Sequence, residues 1–151
     1  MRDLLRIPVL DLNNEQRLGW VKDILYDEKK NTVTGLLIEK DSFLKSQQEK
    51  IARGDIISFG KEAVSVEKLT KKRVRGTPLS KKIGTEVYSD DGEIKGTVGD
   101  IFVDNSVQNV LGYEISDGIF ADLFKGREAV LEENILAESQ DVIVIEGGSS
   151  S

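Results

Sequence analysis

Apolar residues along this chain come in short runs broken by polar turns, the pattern of many short strands. In the first half the β-rich runs are Ile7 to Leu12, Leu18 to Tyr26, Thr32 to Glu39, Lys50 to Arg53 and Ala63 to Glu67. Turn-forming segments separate them: Asn13-Asn14-Glu15, Asp27 to Asn31, and Phe59-Gly60-Lys61. In the second half the runs are Thr85 to Ser89, Gly96 to Val103, Asn109 to Ile115, Ala129 to Leu131 and Val142 to Glu146. One stretch departs from this. Ile119, Phe120, Leu123 and Phe124 share one helical face. Ser116 or Asp117 suits the start and Gly126 the stop, so the spacing predicts a short helix over 117–125. The matching stretch of the first half, Asp41 to Glu49, is more polar and carries only a weak version.

The two halves are copies. Gly19-Trp20-Val21-Lys22-Asp23-Ile24-Leu25-Tyr26-Asp27 recurs as Gly96-Thr97-Val98-Gly99-Asp100-Ile101-Phe102-Val103-Asp104, a shift of 77 residues. Val33/Val110, Gly35/Gly112 and Ile38/Ile115 keep that shift. Asp55-Ile56-Ile57 then matches Asn134-Ile135-Leu136 with a shift of 79, so two residues are inserted between Gly112 and Asn134. Within the second strand the apolar residues Val21, Ile24 and Tyr26 are spaced three then two, as are Val98, Ile101 and Val103. Strict alternation has two and two, so a β-bulge is expected at the same place in both copies. The expected fold is all-β with minor α: two tandem small barrels from an internal duplication, with a short helix in the second. Their expected limits are residues 1–70 and 79–146, with a basic linker over 71–78 and a flexible tail over 147–151.

These residues carry a family resemblance. A Gly-x-Val-x-Asp-Ile strand, an Asp turn, a Val-x-Gly strand and then Asp55-Ile56-Ile57-Ser58-Phe59-Gly60 with Ala63-Val64 resemble the PRC-barrel domain. The order appears twice, from about Asp3 to Leu69 and from about Leu79 to Glu146. The stretch over 116–127 resembles the two-barrel proteins of spore-forming bacteria. The resemblance implies PRC-type barrels and an adaptor role. It implies no reaction, and it leaves the partner open, because family members serve electron transport, ribosome assembly and cell division. A link to sporulation or to envelope-associated processes comes from the resemblance alone.

Composition narrows the chemistry. The chain has no His and no Cys, which removes thiolate nucleophiles, the usual zinc sites, haem axial histidine and the Ser-His-Asp relay. No Gly-rich loop opens a helix with nucleotide-binding spacing. The expectation is therefore no enzyme, no cofactor and no metal. Asp90-Asp91-Gly92-Glu93 lacks the alternating ligands of a calcium loop and reads as a hairpin turn. No signal peptide and no apolar run long enough to span a bilayer are present, so a cytoplasmic protein without a membrane span is expected.

The net charge is −6, yet Lys68, Lys71, Lys72, Arg73, Arg75, Lys81 and Lys82 form a run without one acidic residue. The remaining 14 basic and 27 acidic residues leave −13, read as two acidic bodies around a basic hinge. Lys71, Lys72, Arg73 and Arg75 are the candidate anion-binding residues. Without aromatic neighbours to stack on bases, nucleic acid is not the favoured ligand. The competing expectation is an RNA- or ribosome-associated factor using this segment.

Trp20, Phe43, Phe120, Phe124 and Arg127 are the candidate contacts for another protein, including a second copy in a homodimer. Small barrels also need large residues inside, so core packing competes with that reading. Asp23 and Asp100 are read as carboxylates accepting backbone N–H bonds, and the four glycines 19, 35, 96 and 112 as relief for crowded barrel corners.

Overall fold

The duplication reappears as one strand order used twice. The computed structural model describes residues 1–40, 47–116 and 128–146. The first sheet holds β1 (Pro8–Asp11), β2 (Gln16–Asp27), β3 (Thr32–Lys40), β4 (Gln47–Ala52), β5 (Ile56–Phe59) and β6 (Val64–Val66), with the two-residue β7 (Thr77–Pro78) paired to β2. The second sheet holds β8 (Glu86–Ser89), β9 (Ile94–Val103), β10 (Val110–Ser116), β11 (Glu128–Leu131), β12 (Ile135–Glu138) and β13 (Val142–Ile145). Their orders are β4-β3-β2-β1-β6-β5 and β11-β10-β9-β8-β13-β12. In each, the first strand pairs in parallel with one five strands later, β1 with β6 and β8 with β13. The helix predicted over 117–125 and the tail over 147–151 lie outside the described residues.

Bulges fall at matching places. In β1–β2 the register slips after Val9↔Gly19, leaving Leu18 extra; in β8–β9 it slips after Val87↔Gly96, leaving Lys95 extra. Between β5 and β6 the extra residue is Ile57, and between β12 and β13 it is Leu136. A bulge re-aims its extra side chain, and these two apolar residues are 52% and 53% exposed. The slip expected from the spacing of Val21 and Ile24 is present: Val21 pairs with Ile38 and Asp23 with Leu37, so Lys22 is the added residue.

Each sheet closes over its own apolar interior. Val9, Val21, Ile24, Leu36, Ile38, Ile51 and Val64 are buried in the first, and Val87, Val98, Ile101, Tyr113, Ile115, Val130 and Ile143 at the matching positions of the second. The paired glycines Gly35 and Gly112 let strands approach. A Cβ on either would collide with a backbone carbonyl oxygen, of Ile51 or of Val130. Asp23 and Asp100 are buried and act as read from the sequence: each accepts the N–H of the next residue, Ile24 or Ile101, at 2.8 Å.

The compact units do not follow the repeat boundary throughout. One comprises Met1–Ser80 with Asp104–Val110, the other Lys81–Val103 with Leu111–Ser151. In the first unit Val33 N–H donates to Gln108 O, and Val110 N–H to Asn31 O. Arg53 secures the same segment: its Nε donates to Val107 O at 2.9 Å and Nη2 to Ser106 O at 2.6 Å. Desolvation lowers the Arg53 pKa from its ordinary value, and the nearby Asp104 carboxylate offsets part of that.

Charge divides unevenly between the units. The first has 16 basic and 13 acidic residues, net +3; the second has 5 and 14, net −9. Without Lys68, Lys71, Lys72, Arg73 and Arg75 the first has 11 and 13, close to neutral. This corrects the reading of two acidic bodies: the negative charge belongs to the second. Lys82, counted in the basic run, is also corrected. It is buried, its Nζ 2.6 Å from the Glu138 carboxylate and donating to Ser139 O. Tyr113 donates its hydroxyl to the same Glu138 oxygen at 2.6 Å.

Candidate functional site

Two surfaces of the first unit carry the sequence candidates that are described. The first is the β1–β2 hairpin. Trp20 pairs across the sheet with Pro8 on one side and Glu39 on the other. Its neighbours Gly19 and Val21 are buried, so alternation turns the indole to the outer face, where it is half-buried. The Arg17 guanidinium lies over the ring, 4.2 Å from its centroid. At the tip, Asp11 accepts the N–H groups of Asn13 and Asn14, which fixes the turn. Leu12 next to it is 51% exposed. A small open depression of about 230 Å³ lies beside this tip, bordered by Leu10, Leu12, Glu15 and Arg17. In the second copy the positions of Arg17 and Trp20 hold Ile94 and Thr97.

The second surface is the basic segment. Residues 71–78, set apart in the sequence as a linker, lie against the first sheet. At the entry, the Thr70 N–H and hydroxyl donate to the Asp55 carboxylate at about 3 Å. Lys71 then turns the chain with a φ of 55°. Val74 is buried, its side chain beside Gly35, and Thr77–Pro78 pair with Tyr26 and Leu25. Ser80 closes the exit, donating its N–H and hydroxyl to Asp23. Lys71, Lys72, Arg73 and Arg75 are all exposed. Among the described residues none of the four has an ion-pair or hydrogen-bond partner. An open cleft of about 510 Å³ adjoins the exit, lined by Asp27, Glu28, Lys29, Arg75 and Thr77 among others. Asp27 is occupied there by its own turn, accepting the N–H groups of Lys29 and Lys30.

Phe43, Phe120, Phe124 and Arg127 lie outside the described residues. Residues that sequence reasoning missed are Arg53, Thr70 and Val74, which hold backbone in place, and the exposed bulge residues Ile57 and Leu136. The last pair was visible in principle as an apolar position kept in both copies. The turn over 90–93 uses its own carboxylate: Asp91 receives the Ser89 hydroxyl and the Glu93 N–H. Those bonds, the hydroxyl first, hold the Asp91 carboxyl below its ordinary pKa. Among the described residues no group of three His, Cys, Asp or Glu is placed to hold a metal ion. No helix among them is long and apolar enough to cross a membrane.

Comparison with known proteins agrees with this architecture. A protein of Bacillus subtilis (strain 168) described as "Uncharacterized protein YrrD" is 27% identical over 152 residues, covering 93% of this chain and 83% of that protein. The family model of the PRC-barrel domain matches twice, over residues 1–82 and 77–150. With two matches that together span almost every residue, and one strand order used twice, the chain belongs to the PRC-barrel family.

Proposed function

We propose that the protein is a non-catalytic adaptor that holds another protein through the outer face of its first barrel. The carrying observation is the Arg17–Trp20 pair on the β1–β2 hairpin, with Leu12 exposed beside it. Tryptophan and arginine are the residues most enriched at binding hot spots, and a half-buried, pre-stacked indole loses little freedom on docking. The second copy keeps the buried positions and replaces this pair by Thr97 and Ile94, so the surface is particular to one barrel. Barrel-type modules host many functions on one fold, so the site and not the fold must select the partner. A role in sporulation or at the cell envelope rests on family likeness and is open to the identity of the captured partner.

The test is affinity capture from a native lysate of the source cells with the wild-type chain and with Trp20→Ala, each checked for an intact fold by its thermal midpoint. One protein retained by the wild type should fall by about thirtyfold in affinity with Trp20→Ala, the effect of a ~2 kcal/mol hot spot. If both chains retain the same proteins equally, this face is not the docking surface.

A further inference from the structure

We propose that residues 70–78 form a pinned basic strap that binds a short acidic segment of a partner protein, separately from the Trp20 face. The segment has the features of a built site. It is held at Thr70 by Asp55, in the middle by buried Val74, and at its end by pairing with β2. Between those anchors it presents Lys71, Lys72, Arg73 and Arg75, exposed and with no counter-ion among the described residues. Elsewhere the first unit carries nearly equal numbers of basic and acidic residues, so its positive charge is concentrated here. An ordered backbone spares a ligand the entropy of fixing a loop, and two guanidinium groups offer bidentate contacts to carboxylates.

Three observations favour a short carboxylate-bearing segment over a phosphate polymer. From Lys71 to Arg75 the strap spans at most about 14 Å even if fully extended. Beyond Arg75 the cleft lining is mixed, with Asp27 and Glu28 beside Lys29, so the unopposed positive charge ends at Arg75. The Debye length at ~0.15 M salt is about 8 Å, so a polyanion running on past Arg75 meets carboxylates and an ammonium together and gains no further net attraction. Residues 70–78 also contain no aromatic side chain on which a base can stack. A short peptide uses the whole of the strap's charge within its own length and needs no stacking.

The proposal shares with the adaptor reading only the idea that the ligand is a protein, and it is tested without the Trp20 face. Fluorescence anisotropy of the full chain is measured with a labelled peptide of alternating Asp and Glu, and with a labelled oligouridylate. Both are run at low salt and at ~0.15 M salt. The peptide should bind and keep measurable affinity at the higher salt. The variant with Lys71, Lys72, Arg73 and Arg75 all replaced by Ser should bind about tenfold or more weakly, as expected when the complementary charges of an interface are removed. Thr70→Ala keeps all four charges and should weaken binding by a smaller factor by freeing the strap. Trp20→Ala should bind the peptide like the wild type. The proposal is overturned if the peptide does not bind, if the quadruple variant binds it equally, or if oligouridylate binds more tightly at ~0.15 M salt and is the ligand lost in the variant. Loss of peptide binding in Trp20→Ala would instead make the two surfaces one.

Discussion

The first and second units share their strand order, their bulges and their crowded glycines, yet one carries +3 and the other −9. They also differ in one cluster of otherwise matching positions. Where the first has Leu4, Leu36 and Phe59, the second has Lys82, Tyr113 and Glu138, joined by an ion pair and a hydrogen bond. What the copies keep is the apolar pattern and the close backbone approaches. What they let go is surface charge and the chemistry of one corner at the edge of the interior. The fold is specified by the first set, and the second set is free to acquire partners.

The polar cluster is the sharpest way to break the likeness. Glu138→Ala leaves a buried ammonium without its carboxylate and a tyrosine hydroxyl without its acceptor. Lys82 is buried while the Glu138 side chain is 21% exposed, so the cost is expected below that of a fully buried pair, about 2–3 kcal/mol. Hydrogen exchange should show the loss in β8–β13 and not in β1–β6. Restoring the first unit's residues with Lys82→Leu, Tyr113→Leu and Glu138→Phe together should recover most of it, because the buried ammonium is then replaced along with its partner. If Glu138→Ala melts like the wild type, the pair is not holding that corner.

A smaller effect should fall equally on both copies. Gly35→Ala and Gly112→Ala each push a methyl group into a carbonyl oxygen of the neighbouring strand. Each should cost about 1–3 kcal/mol, the usual range for overpacking, read as a shift in denaturant midpoint. A large difference between them would mean that the two barrels do not close alike.

The smallest effect concerns Arg6 and Gly84. They occupy matching positions, donate their N–H groups to Val21 O and Val98 O, and have positive φ values of 70° and 88°. Glycine adopts that conformation without strain, whereas another residue loses about 1 kcal/mol there. Arg6→Gly should therefore be neutral or stabilising by less than about 1 kcal/mol, since glycine gives back part of the gain through a freer unfolded chain. A fall in thermal midpoint would assign the Arg6 side chain a contact of its own.

The duplication, the strands and the bulge at Lys22 were legible because each rests on local spacing: one slip in the alternation around Val21 and Ile24 is enough to place the added residue. The roles of Asp23 and Asp100 followed from being carboxylates in half-buried strands. The strap was not legible. Its single buried residue, Val74, stands among cations, and its pairing with β2 is two residues long, so the run resembles a solvated linker. Lys82 was misread for a related reason: its counter-ion is Glu138, far along the chain, and no local pattern links them. The hot-spot candidate Trp20 was chosen by residue type, but the cation above it came only with the hairpin geometry.

Pairing the beginning of a barrel with its end sets a schedule for synthesis. Val9 meets Val64 in the parallel pair, 55 residues later in the chain. At roughly 5–20 residues per second, a ribosome needs about 3–11 s to cross that distance. Throughout that interval one side of β1 has no strand to pair with, and Arg53 waits almost as long, 53 and 54 residues, for Ser106 and Val107. A nascent chain halted before Val64 is thus the species most open to pairing with the wrong strand, and slower elongation lengthens its exposure.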